Sequence, residues 1–208
     1  MQRAPLNLVI HDLKNALGAL EAQLDTLARQ PTAAGAWQAH TRCVELRQQF
    51  VQYLTLYGTA QELIPQYEDE SPIALLERVV RAAHPAPEDE ESLHGPTVVL
   101  KHSDDAPPFW YFDPRLVRLA LDAAIHNARR FARSRIELSA RVDDGCLVFR
   151  VDDDGPGLGC DDPSDLSTGL GTSLCKAVAE AHKNAGREGH VTLSDRPEGG
   201  ARFELSLP

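Results

Sequence analysis

Residues 6–27, LNLVIHDLKNALGALEAQLDTL, constrain the fold of this chain more than any other stretch. Leu6, Ile10, Leu13, Leu17, Leu20, Leu24 and Leu27 follow one another at steps of 4, 3, 4, 3, 4 and 3. That spacing predicts one helix with a leucine seam. It starts near Pro5, a residue tolerated in a first turn, and runs to about Arg29. The segment Gln30-Pro31-Thr32-Ala33-Ala34-Gly35 breaks it. A second helix is expected over residues 36–61, with Cys43, Leu46, Phe50, Tyr53 and Tyr57 again three or four apart. So short a connection makes the pair an antiparallel hairpin. Two helices form only a thin layer and leave much of the seam uncovered. A second copy would cover it, giving a four-helix bundle across a homodimer; packing on the C-terminal part of the chain is the alternative. His11 stands one residue past a seam position, which puts it on the flank. Asp12 adjoins it, and Asn15 lies one turn further on along the same face. An exposed His beside a carboxylate on a rigid helix could accept a phosphoryl group. The same residues also suit an ordinary solvated helix face.

Composition narrows the classes. The apolar fraction is 42% and the charged fraction 25%, as in soluble globular proteins. No run approaches the roughly 18 apolar residues of a membrane span, and the N-terminus is too short and too polar for a signal peptide. A cytoplasmic chain is expected. The net charge of −10 argues against a nucleic-acid partner, which needs a basic footprint. Cys43, Cys146, Cys160 and Cys175 are scattered without a CxxC pair, so reduced thiols are expected.

Residues 65–72, PQYEDESP, are acidic, bracketed by prolines, and read as a linker. Beyond them the pattern turns to mixed α and β. Ser71-Pro72 opens a helix that ends before Pro85, and an acidic loop follows. Residues 97–101 and 110–112 read as strands. Asp113-Pro114 starts a helix reaching about Ala132. Residues 136–142 and 146–152 are strands joined by Asp143-Asp144-Gly145, a hairpin signal. Residues 172–182 form a helix, and strands over 191–194 and 202–207 close the chain.

Two glycine loops carry the chemistry. Val151-Asp152-Asp153-Asp154-Gly155-Pro156-Gly157-Leu158-Gly159 follows directly on a strand; its glycines let the backbone approach a ligand. A calcium loop is excluded, because the position that needs a Glu is Pro163. Ser167-Thr168-Gly169-Leu170-Gly171-Thr172 opens a helix, where free N–H groups and the helix dipole favour an anion. Upstream, Asn127-Ala128-Arg129-Arg130-Phe131 offers an amide oxygen, guanidinium groups and an aromatic ring.

In this order the pieces resemble a two-component sensor histidine kinase. The H-box resembles His11-Asp12-Leu13-Lys14-Asn15 and the N-box resembles Asn127 to Phe131. The first glycine box, D-x-G-x-G, matches Asp153, Gly155 and Gly157; the second matches Gly169-Leu170-Gly171. The closing pattern resembles Gly199-Gly200-Ala201-Arg202-Phe203 and Leu207-Pro208. The resemblance covers nearly the whole chain. It implies an α+β chain, with a dimerisation and phosphotransfer hairpin over residues 1–66 and a Bergerat-type α/β sandwich that binds ATP over residues 67–208. It further implies that Asp153 takes the adenine amino group and that Asn127 holds Mg²⁺ against the phosphates. Arg130 would contact phosphate, and Phe131 would lie near the base. The amides of Gly169, Leu170 and Gly171 would cradle the phosphates. His11 would attack the γ-phosphorus with Asp12 as general base. The phosphoryl group would pass to a response regulator receiver domain, and Asn15 would orient the water of a phosphatase reaction. With the His helix so near residue 1, the expected alternatives are a fragment, a separate sensor protein that supplies the input, or a stand-alone kinase.

The chain departs from the family at several points. Ala123 stands where a second Asn is usual, Ser167 replaces a Gly, Ala201 replaces a Thr, and no Pro follows Asn15. Only residues 160–166 separate the glycine loops, and the Phe-containing box is missing. These departures keep open a dimeric phosphotransfer or scaffold protein with a vestigial ATP domain. An ATPase of the same fold acting on other substrates is a third reading.

Overall fold

The computed structural model describes residues 6–57, 63–83, 95–101, 105–159 and 169–208, with side chains from residue 13 onward. The chain forms two compact units, one of residues 1–60 together with 166–170 and the other of residues 61–165 and 171–208. The first holds α1 (Leu6–Arg29) and α2 (Ala33–Tyr57) as an antiparallel hairpin. Gly35, expected in the break, lies inside α2. The reason is Thr32: its hydroxyl accepts from the Gly35 N–H at 3.0 Å and caps the helix, which begins at Ala33 and not at residue 36. The expected end of this helix at Gln61 lies outside the described residues.

The leucine seam splits in two. Ala16 and Leu20 are buried and Leu13 and Leu27 half-buried, whereas Leu17 is 52% and Leu24 47% exposed. On α2, Trp37, Phe50, Val51 and Leu54 are also exposed. A two-helix layer has one inner face, and a seam as wide as this one exceeds it.

The second unit is an α/β sandwich, so the fold as a whole is α+β. Its elements are β1 (Glu68–Glu70), α3 (Pro72–Ala83), β2 (Thr97–Leu100), β3 (Trp110–Phe112), α4 (Pro114–Phe131), β4 (Arg135–Asp143) and β5 (Cys146–Asp153). Then come α5 (Leu170–Ala181), β6 (Lys183–Asn184), β7 (Arg187–Glu188), β8 (His190–Asp195) and β9 (Ala201–Leu207). The main sheet has the order β2-β4-β5-β9-β8. Only β2–β4 is parallel. The expected linker is corrected here: Glu68–Glu70 pairs antiparallel with β3, and Ser71 caps α3 through its hydroxyl to the Ala74 N–H at 3.4 Å. An acidic, proline-bracketed segment looks like a tether until a partner strand supplies its backbone bonds. The β6–β7 hairpin was also unexpected. It turns on Ala185 and Gly186, both at positive φ, and strands of two residues carry no readable period. The acidic loop after Pro85 lies outside the described residues.

Alternation decides the core. Ile136, Leu138 and Ala140 of β4 point to the helices, with Leu147, Phe149 and Val151 of β5 beside them. The other face of the sheet is charged. There Glu204 accepts from Arg150 at 2.7 Å and from Arg141 at 3.4 Å, and Arg202 grips Asp152 through two bonds of 2.8 Å. On the helical side, the Cys175 thiol of α5 donates to the Ala120 carbonyl of α4 at 3.4 Å, and burial pushes its pKa up to about 12, an inert thiol. Cys43, Cys146 and Cys175 are all free thiols.

A polar clasp fixes the ends of α4 and α5 that lie away from the glycine loops. Buried Asp113 caps α4 by accepting from the N–H groups of Arg115 at 2.9 Å and Leu116 at 3.2 Å. Its other oxygen takes the Gln66 N–H at 2.7 Å. Its own N–H donates to Nε2 of His182, just past α5, at 3.1 Å, while His182 Nδ1 lies 2.7 Å from the Val178 carbonyl. The two partners define a neutral ring protonated on Nδ1. Burial lowers the His182 pKa below 6.5 and outweighs the Val178 carbonyl and the Asp113 charge, which raise it. A pKa lower in the folded than in the unfolded state gives stability that is complete above pH 6.5 and is lost as pH falls below it. Chemical denaturation from pH 7 to 5 is therefore expected to show falling stability, with a shallower fall in His182→Asn.

Candidate functional site

The site grows from the end of β5. The β5–β9 ladder stops at Asp152↔Arg202. One step on, Asp153 is only 5% exposed, and its carboxylate replaces the missing strand. Oδ1 accepts from the Gly155 N–H at 2.8 Å and from the Ala201 N–H at 3.2 Å. Among the described residues Oδ2 takes no bond. Ala201, where the family often has a Thr, contributes through its backbone.

The glycines are fixed by close approach. A Cβ on Gly155 would stand 2.5 Å from the Phe131 carbonyl oxygen, so this glycine lets the loop meet the end of α4. Gly157 has φ +92°, and its missing Cβ makes room for Asp195, whose Oδ1 accepts the Leu158 N–H at 2.7 Å. Gly200, also at φ +92°, passes so close to the Asp153 carbonyl that a Cβ would overlap it. Asp154 faces the other way. Its carboxylate takes the N–H groups of Arg133, Ser134 and Arg135 at 2.8–3.2 Å and the Ser134 hydroxyl at 2.6 Å. Desolvation would raise its pKa, but these donors prevail and hold the group far below the usual carboxylate range. Thus Asp153 ties the glycine loop to the start of β9, and Asp154 ties the α4–β4 turn.

The last turn of α4 supplies the other side. Asn127 is exposed there, one turn before Phe131. The Arg130 guanidinium lies 5.6 Å from the centroid of the half-buried Phe131 ring. The structure thus brings Phe131, Asp153, Gly155 and Gly157 together and sets Asn127 and Arg130 on the adjoining helix end. Gly169, at φ +65°, precedes α5, and Leu170 and Gly171 lie in its first turn. The helix begins two residues earlier than expected, because the second glycine box is itself part of the helix start. Ser167 and residues 160–166 lie outside the described residues. So do the side chains of His11 and Asp12, although both positions are helical in α1. Asn15 is exposed on α1.

Sequence reasoning missed Asp195, Arg196 and the packing role of Gly200. The available signal was Asp195-Arg196-Pro197-Glu198 ahead of the Gly199-Gly200 pair, of which only the glycines were singled out. Among the described residues no three His, Cys, Asp or Glu side chains could hold a metal. A divalent ion would need phosphate oxygens as well as Asn127, the usual manner of Mg²⁺.

Gly155→Ala is expected to cost about 1–3 kcal/mol of stability through overpacking. Gly159→Ala, whose Cβ meets nothing within 4 Å, should cost only the strain of φ +84°, about 1 kcal/mol. Urea titration of the two variants checks the ranking.

Residues 112–208 match the family described as histidine kinase-, DNA gyrase B- and HSP90-like ATPase. The chain is 29% identical over 114 residues to sensor histidine kinase CpxA of Escherichia coli, an alignment covering 47% of this chain and 24% of CpxA. The chain therefore spans about a quarter of that relative's length. Among solved structures, histidine kinase AdeS of Acinetobacter baumannii superposes with a TM-score of 0.61 at 20% identity, covering 95% of this chain and 96% of that one. Histidine kinase ThkA, solved in complex with response regulator protein TrrA, gives a TM-score of 0.66 at 15% identity, covering 97% and 60%. At those identities the two structures speak for the fold. The C-terminal residues thus match the ATPase family, and the sequence relatives and fold neighbours that the chain resembles are sensor histidine kinases.

Proposed function

We propose that the chain is a cytoplasmic ATP-dependent protein-histidine kinase. In this reading residues 1–66 dimerise and carry the phosphoacceptor, and residues 67–208 bind ATP. The observation that carries it is Asp153: a buried carboxylate with one oxygen held by two backbone N–H groups and the other without a bond among the described residues. That pattern suits the 6-amino group of adenine. Phe131 would lie along the base. Arg130 and the amides of Gly169, Leu170 and Gly171 would hold the phosphates, helped by the positive end of α5. Asn127 would contribute its amide oxygen to Mg²⁺, which when bound neutralises phosphate charge.

The neutral imidazole of His11 would attack the γ-phosphorus. An N–P bond forms, the bond to the ADP oxygen breaks, and Asp12 accepts or orients the ring proton. A response regulator aspartate would then receive the phosphoryl group, and Asn15 would position water for its removal. The exposed Leu17, Leu24, Phe50, Val51 and Leu54 support a homodimer, because they are the apolar surface a second hairpin would cover. Input would come from a sensor. No described helix is long and apolar enough to cross a membrane.

A second reading draws on Ala123. The position where the family usually has another Asn is a buried alanine, 5% exposed, with no group for metal or phosphate. That favours a dimeric phosphotransfer or scaffold protein with a vestigial ATP domain.

Incubation with γ-labelled ATP and Mg²⁺ separates the two. The kinase reading expects label on the wild type, at least about 100-fold less on His11→Ala, and weaker ATP binding in Asp153→Asn. A wild type that binds no ATP contradicts the kinase. Label retained by His11→Ala contradicts the choice of phosphoacceptor.

A further inference from the structure

The β8–β9 turn does more than reverse the chain. Arg196 Nη1 donates to the Asp153 carbonyl at 2.6 Å, the short bond expected of a charged donor. Its Nε lies 3.7 Å from Asp152 Oδ2, and its side chain is largely buried. The Arg196 backbone closes the same turn, its N–H donating to the Gly200 carbonyl at 2.9 Å and its carbonyl accepting the Gly199 N–H at 3.0 Å. Asp195, one residue earlier, holds the Leu158 N–H at 2.7 Å. Adjacent residues of one turn thus grip both ends of the Asp153–Leu158 loop. The grip falls where the loop needs it. Beyond Asp152 the pairing with β9 stops, and the Asp153 backbone keeps only its pairing with Ile136 of β4, so Arg196 takes over on the open side. A shift of the Asp153 backbone would carry its Cα and Cβ with it and re-aim the carboxylate.

We propose that Arg196 is a positioning residue for base selectivity: by fixing the Asp153 carbonyl it keeps Asp153 Oδ2 aimed at the exocyclic amine of a purine. This rests on the reading of Asp153 as the acceptor for adenine. A carboxylate held in that orientation favours a 6-amino purine and repels a 6-oxo purine, whose oxygen is an acceptor facing an acceptor. A carboxylate released from it loses the preference while the rest of the site still holds the phosphates.

The test is displacement of a fluorescent nucleotide from the full chain by ATP and by ITP, for the wild type and Arg196→Met, with melting temperatures recorded alongside. Methionine keeps much of the stem and removes the donor. The wild type is expected to prefer ATP by about tenfold or more. Arg196→Met should lose about tenfold in ATP affinity and less than about twofold in ITP affinity, so that the preference collapses. Arg196→Lys, which keeps a cationic donor, should recover part of it. A general loosening of the fold would weaken both nucleotides alike and leave the ratio intact, and that result overturns the role of Arg196. A wild type without any preference overturns the adenine reading itself, and the inference with it. If Arg196→Met does not fold, Arg196→Gln is measured by the same ratio: collapse supports the role and an unchanged ratio overturns it.

Discussion

Two backbone N–H groups on a single oxygen, Asp153 Oδ1, determine how the second unit ends its central strand and begins its glycine loop. One comes from Gly155 in the loop itself and the other from Ala201 at the start of β9. The carboxylate therefore joins three segments that backbone pairing has stopped joining. Its burial makes each bond costly to lose, since an unsatisfied buried carboxylate is far less stable than a paired one. The glycines around it follow from the same constraint. Gly155 gives the loop access to the end of α4, and Gly157 and Gly200 give the β8–β9 turn access to the loop.

The helix α4 links this site to the far side of the domain. Its first turn is capped by Asp113, which also receives Gln66 and donates to His182. Its last turn presents Asn127, Arg130 and Phe131. His182 follows α5, whose first turn contains the second glycine box. Both helices that carry candidate-site residues are thus anchored at their distal ends by one buried cluster, which includes the Gln66 N–H. The hairpin follows a different rule. Its seam is wider than its own interface, so stability and surface pull against each other until something covers Leu17 and Leu24.

The sequence was most legible where local chemistry and tertiary packing agree. The Asp113-Pro114 start of α4, the Asp144-Gly145 turn between β4 and β5, and the alternation of Ile136, Leu138 and Ala140 were readable because cap, turn and period each act within a few residues. Asp153, Gly155 and Gly157 were found through their order relative to the other boxes, and the structure supplies the contacts behind that order. What escaped were interactions between distant segments of modest composition. Glu68–Glu70 became a strand because β3 lies beside it. Asp195 and Arg196 serve a loop some forty residues upstream, a relation that no periodicity records. Asp153 and Asp154 are identical in type and adjacent, yet one ties the glycine loop to β9 and the other the α4–β4 turn; only the donors around each tell them apart.

The central claim is that Asp153 divides its two oxygens between the protein and a purine. A crystal structure of the full chain with a non-hydrolysable ATP analogue and Mg²⁺ tests it most directly. The account predicts the adenine amino nitrogen within about 3 Å of Asp153 Oδ2, with the Gly155 and Ala201 N–H groups still on Oδ1. An adenine bound elsewhere, or an Asp153 side chain turned so that the base displaces those two N–H groups, would contradict it.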